Sequence, residues 1–326
     1  MAAAAEAFPA VQRTDPAQEQ HETMTAFTLA EVRERTYKKR DAWWTVFLVD
    51  PLAGRLVVWT ANHTSITPNQ LTLGAGVLGL ASAACFTQGS WPWLVAGALL
   101  FHLSFVLDCM DGKIARLKGT GSVFGAWVDF VFDRIRFFAC MMALLLGQWV
   151  YTGEIGYLLL APLLTFFDLL RYLNGPQMAK TRRSMRRQLG EALLGRRSEP
   201  VVEDPESTET EEAVQPEQRD SGEVAAAVSV ESVFTRFRGY QRVRDALLRH
   251  RVRPHLFSGI EFEMFVCVLA PLTAVVSLFT PWPSLIVPVA VFASVALMLF
   301  ETVLVVKLWL DTRAFEARMR ELTAVD

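Results

Sequence analysis

The fold is decided by residues 69–107, which read NQLTLGAGVLGLASAACFTQGSWPWLVAGALLFHLSFVL. The chain has no Lys, Arg, Asp or Glu anywhere between Arg55 and Asp108. A helix needs ~20 apolar residues to cross a bilayer, so this stretch is long enough for two crossings joined at the short link 88–91. It therefore predicts a helical hairpin in a membrane and excludes an ordinary soluble globular protein.

The same pattern continues along the chain of 326 residues, of which 52% are hydrophobic and 20% charged. The four cysteines show no spacing typical of a metal site, and charge is too scarce for a basic nucleic-acid-binding surface, so we expect no nucleic-acid partner. The composition predicts an all-α polytopic membrane protein with six transmembrane helices preceded by interfacial helices. The six apolar stretches are approximately 69–88, 92–112, 122–149, 155–175, 262–281 and 284–308.

Lys and Arg lie on one side of these six stretches. None occurs in the links between the first and second, third and fourth, or fifth and sixth stretches, whereas the remaining loops are rich in them. The positive-inside rule then predicts that both termini and the basic loops face the cytoplasm. We therefore expect an integral protein of the cytoplasmic membrane. Four tryptophans fall at the opposite interface, as in an aromatic belt: Trp91, Trp93, Trp149 and Trp282.

The segments outside the spans differ in composition. Thr28 and Glu31 have the spacing of a capping box, and the basic residues near Trp43 and Trp44 favour helices lying in the headgroup plane. Residues 198–230 are rich in Glu, Pro, Ser and Thr and carry too little apolar surface to fold, which predicts disorder. The predicted organisation is a disordered N-terminus (1–27), interfacial helices (28–66), spans one to four with an acidic motif (67–180), a basic-flanked, acidic, largely disordered cytoplasmic loop (181–254), spans five and six (255–312) and a cytoplasmic tail (313–326).

Four aspartates cluster around the loop between the second and third spans: Asp108, Asp111, Asp129 and Asp133. An Asp at a helix centre costs ~2.5–3.5 kcal/mol on insertion scales, so such residues are functional by default. The pairs are three and four residues apart, which puts each pair on one helix face, and a glycine-containing turn brings the pairs together. Divalent cations relieve the repulsion among four carboxylates. Hard oxygen ligands suit Mg²⁺ or Mn²⁺, and a two-metal site suits phosphoryl or pyrophosphate groups.

The spacing D-x-x-D-G-x-x-A-R-x8-G-x3-D-x3-D over residues 108–133 resembles that of the CDP-alcohol phosphatidyltransferases, and all eight fixed positions match. The resemblance extends to six spans and to the pair Pro68-Asn69 that opens the first span. It covers residues 40–180 and 255–310 but not the acidic insert.

The resemblance implies a reaction and a set of roles. A substituted phosphate would pass from a CDP-linked lipid such as CDP-diacylglycerol to the hydroxyl of a small polar alcohol, with release of CMP, at a cytoplasmic site among membrane lipids. Family members are often homodimers. The residues implied are Asp108, Asp111, Asp129 and Asp133 for two Mg²⁺ or Mn²⁺ ions, Asn69, Gly112, Ala115, Arg116 and Gly125 for the CDP-alcohol, and Asp133 as general base.

The acceptor is less constrained than the reaction. Arg134 follows the last aspartate and slightly favours an inositol or inositol phosphate acceptor, although an ion pair explains it too. A second group of basic residues ends the fourth span and suits either an anionic acceptor or positive-inside anchoring. Its members are Arg171, Lys180, Arg182 and Arg183.

Three alternative functions are consistent with aspartates in a membrane protein. An intramembrane prenyltransferase also uses Asp and magnesium, but the G-x-x-A-R stretch has no place in that class. A cation transporter would place its carboxylates near the bilayer midplane rather than at the rim. A non-catalytic scaffold would not need the complete motif. Magnesium-dependent release of CMP distinguishes the phosphatidyltransferase from all three.

Overall fold

A computed structural model describes residues 26–194, 246–253, 257–280 and 284–323. Residues 1–25 of the predicted disordered N-terminus and the whole of the predicted disordered insert 198–230 lie outside these ranges. The described part is all-helical and contains no strand; residues Asp41 and Val252 form an isolated parallel bridge. The all-α prediction is confirmed.

Short connections join the helices from the second to the sixth, and the seventh to the eighth, whereas residues 195–258 separate the sixth helix from the seventh. A π-helical turn, Thr45–Val49, leads into the second helix. The seventh helix changes from α to π at Phe265–Leu269 and ends in a 3₁₀ turn at Thr273–Leu278. The bounds are α1 (Leu29–Thr36), α2 (Asp50–His63), α3 (Pro68–Phe86), α4 (Trp91–Lys118), α5 (Val123–Thr152), α6 (Ile155–Leu194), α7 (Gly259–Leu278) and α8 (Ile286–Thr323).

Five of these helices are long and apolar enough to cross a membrane: α3, α4, α6, α7 and α8. The length and composition of these five helices therefore indicate an integral membrane protein. The 30-residue α5 is not among the five. Its first half carries Asp129, Asp133, Arg134 and Arg136, so an uninterrupted uncharged stretch begins only after Arg136. The prediction of a third span at 122–149 thus rests on length more than on composition.

Two helix starts follow the local sequence rules. Thr28 and Glu31 form the predicted capping box, in which the Thr28 hydroxyl accepts from the Glu31 backbone N–H and the Glu31 carboxylate accepts from the Thr28 N–H. Thr67 and Gln70 form the equivalent pair at the start of α3, with Pro68 at the first helical position. The first helix ends at Thr36.

The core lies where α4 and α5 both pack on α3. Small residues allow close approach: Ser82 Oγ donates to the Gly97 carbonyl at 2.7 Å, and Ser104 Oγ donates to the Ala75 carbonyl at 2.7 Å. A Cβ built on Gly147 of α5 would lie 2.4 Å from the Phe86 carbonyl oxygen at the end of α3. The remaining long helices pack around this trio, α7 against α4, α5 and α8, and α6 against α5 and α8. Helices α1 and α2 pack on α4.

Two helices continue beyond the predicted spans. α6 runs to Leu194, through the basic stretch 180–187 that the sequence places at the start of a cytoplasmic loop. α8 runs to Thr323, through most of the predicted tail. A helix satisfies its own backbone hydrogen bonds on both sides of a membrane surface, so the end of the apolar stretch does not mark its end.

Candidate metal centre

The hairpin between α4 and α5 places the four aspartates side by side. Gly119 ends α4 in the left-handed region, with φ of 64°, where a residue without a Cβ is favoured. Ser122 caps α5 by accepting a hydrogen bond from the Gly125 N–H at 2.9 Å. A Cβ on Gly125 would lie 2.9 Å from the Ser122 hydroxyl oxygen, so glycine at this position keeps the cap close. The predicted turn therefore forms a short connection that orients both aspartate pairs.

Three of the aspartates converge. Asp108, Asp111 and Asp129 each offer a carboxylate oxygen, and these oxygens lie within 4.8 Å of one another. Asp111 is buried, and the other two are half-buried. Three anionic oxygens so close together repel unless a cation lies between them. Hard oxygen donors in this arrangement suit a divalent cation such as Mg²⁺ or Mn²⁺.

Thr72 of α3 orients one of these carboxylates. Its hydroxyl donates to Asp111 Oδ2 at 2.5 Å. Asn69, expected in the CDP-alcohol site, lies one turn earlier on the same face of α3 and is exposed. Thr72 is not among the site residues predicted from the sequence. The available signal was its i,i+3 spacing from Asn69 on an otherwise apolar helix.

Arg136 joins the two aspartate pairs. Its Nη1 donates to Asp108 Oδ1 at 3.0 Å, and its Nη2 donates to Asp133 Oδ1. The guanidinium side chain is 7% exposed. A Cβ on Gly79 of α3 would lie 2.7 Å from Arg136 Cγ, so Gly79 makes room for this side chain. Arg136 is also not among the site residues predicted from the sequence, although a charge within a predicted span is itself a functional signal.

Asp133 differs from the other three aspartates in its surroundings. It does not belong to the group whose oxygens lie within 4.8 Å of one another, and its carboxylate contacts Arg136. Its side chain is 24% exposed, whereas that of Asp108, the other carboxylate that contacts Arg136, is 12% exposed. The structure thus brings together three of the four predicted metal ligands. The fourth, Asp133, lies beside them and pairs with Arg136.

Three of the residues expected to bind the CDP-alcohol, Gly112, Ala115 and Arg116, follow Asp111 on α4. Ala115 is one turn after Asp111 and half-buried. The Arg116 side chain folds back over Gly112: a Cβ built at position 112 would lie 3.4 Å from Arg116 Nη1. Arg116 Nε also donates to the Thr36 carbonyl at 3.1 Å, which anchors the end of α1 to the acidic motif.

The basic residues considered for an acceptor are largely engaged with buried acids. Arg134 donates to Asp168 at 3.2 Å and to Glu263 at 2.6 Å, and its guanidinium lies 3.9 Å from the Tyr172 ring centroid. In the structure, Arg134 therefore forms ion pairs, which is the second explanation considered for this residue. Further along α6, Arg171 pairs with Glu301 at 3.1 Å and Arg182 with Asp311 at 3.6 Å. Lys180 and Arg183 are exposed on the same helix.

Sequence comparisons place this site among known proteins. Residues 65–181 match the sequence profile of the family described as CDP-alcohol phosphatidyltransferase. A bifunctional IPC transferase and DIPP synthase of Aquifex aeolicus is 35% identical over 100 residues, 28% of this chain and 22% of the relative. A phosphatidylinositol phosphate synthase of Corynebacterium glutamicum is 35% identical over 89 residues, 27% of this chain and 37% of the relative. An archaetidylinositol phosphate synthase of Pyrococcus horikoshii is 37% identical over 92 residues, 28% of this chain and 47% of the relative.

The matched region spans less than half of the length of each of these curated relatives. The family match at residues 65–181 includes all of α3, α4 and α5, the acidic hairpin between α4 and α5, and the first part of α6. The sequence resemblance noted from eight positions is therefore confirmed over a much longer stretch. Residues 65–181 of the chain match the CDP-alcohol phosphatidyltransferase family.

Proposed function

We propose that this protein transfers a substituted phosphate group from a CDP-alcohol, such as CDP-diacylglycerol, to the hydroxyl of a small polar acceptor and releases CMP. The observation that carries the proposal is the convergence of Asp108, Asp111 and Asp129 within 4.8 Å at the hairpin of the family motif. A prenyltransferase, a transporter or a scaffold has no comparable support from the matched region.

The donor's diphosphate lies against the aspartate cluster in this proposal. Asp108, Asp111 and Asp129, with Asp133 beside them, hold Mg²⁺ or Mn²⁺, most simply two ions. Bound there, such ions would supply positive charge that offsets the charge of the diphosphate. Gly112, Ala115 and Gly125 leave space for the nucleotide, Arg116 contacts its phosphates, and Asn69 contacts it from α3.

Asp133 acts as the general base. Its carboxylate accepts the proton of the acceptor hydroxyl while that oxygen attacks the phosphorus attached to the lipid alcohol. A new P–O bond to the acceptor forms, the bond to the cytidine-side phosphate oxygen breaks, and CMP leaves with the bonding electrons. The Arg136 guanidinium contacts the Asp133 carboxylate and orients it. General-base catalysis of this kind contributes about 10²–10⁴-fold to a rate.

An inositol phosphate is the acceptor that we favour. The relatives in Corynebacterium and Pyrococcus have names that include an inositol phosphate product. Arg134 does not support this choice directly, since Asp168 and Glu263 occupy both of its Nη atoms. An anionic acceptor that reached Arg134 would have to displace a buried acid.

In the membrane, α5 supplies a sixth span, so that both termini and the acidic hairpin face the cytoplasm. This arrangement is supported by the basic loops on one side of the spans. It also places the donor's diphosphate at the surface where soluble acceptors arrive. A homodimer is a separate expectation carried by the family resemblance alone.

The decisive experiment measures CMP release by the purified full chain in detergent with CDP-diacylglycerol and Mg²⁺. The acceptors compared are inositol phosphate, inositol, glycerol phosphate and serine. We expect release with inositol phosphate, loss with a chelator, and at least a hundredfold loss in Asp133→Asn. Asp311→Asn, which removes a carboxylate paired with Arg182 away from the motif, serves as the matched control.

The outcomes separate the possible functions. CMP release with another acceptor would overturn only the choice of inositol phosphate. Pyrophosphate release from a prenyl diphosphate would support the prenyltransferase instead. Normal turnover by a folded Asp133→Asn protein would disprove the role of Asp133, and the absence of metal-dependent nucleotide binding would disprove the proposed reaction class.

A further inference from the structure

A polar cleft lies on the side of α4 that faces the N-terminal helices. It has a volume of about 590 Å³. The end of α1, the segment leading to α2 and the loop at Arg251 form its walls. The residues that line it are Arg33, Tyr37, Lys38, Lys39, Val46, Asp50, Pro51 and Arg251. None of these residues is part of the acidic hairpin.

The cleft has an excess of positive charge. Its lining contains four basic side chains and one acidic side chain, Asp50. Asp50 is already paired twice, with Lys113 at 3.1 Å and with Arg251 at 3.3 Å. Arg33, Lys38 and Lys39 have no acidic partner in the part of the chain that the structure describes. Three cations therefore face a shared space without a counter-charge.

The wall formed by Arg251 is held firmly in place. Arg251 has a φ of 61°, a left-handed backbone conformation that a residue with a side chain rarely adopts. Its Nη2 donates to the Lys38 carbonyl at 2.8 Å, and its guanidinium lies 4.7 Å from the Tyr37 ring centroid. The neighbouring backbone pairs with Asp41, whose N–H donates to the Arg251 carbonyl at 2.9 Å. The cleft is thus a fixed feature rather than a gap between loose side chains.

Apolar side chains flank the cleft on the segment that follows Val46. Phe47 is 54% exposed, Leu48 45% and Leu52 44%, and Trp59 projects from the next turns of α2. Helices that combine basic residues with exposed aromatic and aliphatic side chains lie in the headgroup plane of a membrane. A ligand with a phosphate in the cleft and acyl chains beside Phe47 and Leu52 would match both surfaces.

We propose that this cleft binds the phosphate of an anionic phospholipid headgroup, at a site distinct from that of the CDP-alcohol. The three unneutralised cations recognise the phosphate, and the apolar flank distinguishes a lipid from free phosphate. The site adjoins the acidic motif through the Asp50–Lys113 ion pair, since Lys113 follows Gly112 on α4. The lipid at this site would therefore brace the helix that carries Asp108 and Asp111.

The test measures lipid binding by the purified full chain in detergent, with EDTA and without nucleotide. The probes are dihexanoyl phosphatidylglycerol, dihexanoyl phosphatidylcholine and glycerol phosphate. Binding is measured by titration of the thermal unfolding temperature and by native mass spectrometry. Because the proposed donor site depends on metal and cytidine, these conditions isolate the cleft. A failure of the proposed enzyme activity would leave this result unaffected, and the reverse also holds.

The variant Lys38→Gln/Lys39→Gln removes two cations from the cleft, and Arg55→Gln/Lys118→Gln removes two exposed cations that do not line it. We expect phosphatidylglycerol to bind the wild type, and the cleft variant to bind about 30-fold more weakly, which equals about 1 kcal/mol for each basic residue. The control variant should bind as the wild type does. Equal weakening in both variants would overturn the site in favour of a diffuse surface charge. Equal binding of phosphatidylcholine or of glycerol phosphate would overturn the anionic lipid as its ligand.

Discussion

Thr72 acts on the metal site through a single hydrogen bond, its donation to Asp111 at 2.5 Å. Replacement by Val keeps the shape of the side chain and removes this bond. Partners of metal ligands typically contribute 10–100-fold to metal affinity, so we expect Thr72→Val to need about tenfold more Mg²⁺ for half-maximal CMP release. Thr165→Val is the matched control, because the Thr165 hydroxyl bonds only within its own helix, to Ala161. An unchanged Mg²⁺ requirement in Thr72→Val would show that the hydroxyl does not orient Asp111.

Arg136 is the only cation that contacts both aspartate pairs in the described part of the chain. Removing one partner of a buried ion pair costs about 3–5 kcal/mol, so Arg136→Met should unfold at a lower temperature. A divalent cation replaces part of the lost charge, and Mg²⁺ should therefore stabilise Arg136→Met more than the wild type. Arg171→Met removes a comparable partner of Glu301 outside the cluster, and its unfolding temperature should not recover with Mg²⁺. Equal Mg²⁺ responses in the two variants would contradict the role of Arg136.

The four aspartates were identifiable from the sequence because charge is rare at membrane depth and because their spacing is regular. Thr72 and Arg136 were not, for different reasons. Thr72 lies 39 residues before Asp111, and only the packing of α3 on α4 joins them. Arg136 follows Arg134, and no sequence rule shows which of the two points toward the aspartates. The structure turns Arg136 toward Asp108 and Asp133 and Arg134 toward Asp168 and Glu263.

At the scale of elements, glycine decides how closely α3 and α5 approach. Gly147 of α5 lies against the backbone at the end of α3, where a Cβ would be 2.4 Å from the Phe86 carbonyl oxygen. A backbone atom cannot move aside as a side chain does, so Gly147→Ala should destabilise the protein by about 1–3 kcal/mol. Gly76→Ala on α3 is the control, because no atom lies within 4 Å of its added Cβ and helix propensity improves. Thermal unfolding in detergent measures both. Similar stability of the two variants would contradict the close packing.

Helix starts were predicted better than helix ends. Thr28, Thr67 and Pro68 start helices through interactions within a single turn, which the sequence shows directly. The ends of α6 and α8 depend on contacts made elsewhere. Arg182 of α6 pairs with Asp311 of α8, beyond the apolar stretches of both helices, so the two extensions support each other. Hydropathy locates the membrane-crossing part of a helix and carries no information about such pairing.

At the scale of the whole molecule, the membrane topology depends on whether α5 crosses the membrane. Six crossings place the loop after α4 and the end of α8 on the same side, with the loop after α5 on the other. Three exposed positions report on these regions: Lys118, Arg318 and Glu154. Each is replaced by cysteine, as in Glu154→Cys, in a chain whose four native cysteines are replaced by alanine. The reagent is a maleimide that does not cross membranes.

We expect Glu154→Cys to react in intact cells, and Lys118→Cys and Arg318→Cys to react only after permeabilisation. The physical reason is that Lys and Arg accumulate on the cytoplasmic side and are absent from the loop at Glu154. If α5 did not cross, Lys118→Cys and Glu154→Cys would react under the same conditions. In that case α5, which carries Asp133, would not anchor the acidic hairpin in the membrane. The cysteine-free chain controls for background labelling, and retained CMP release shows that each variant is folded.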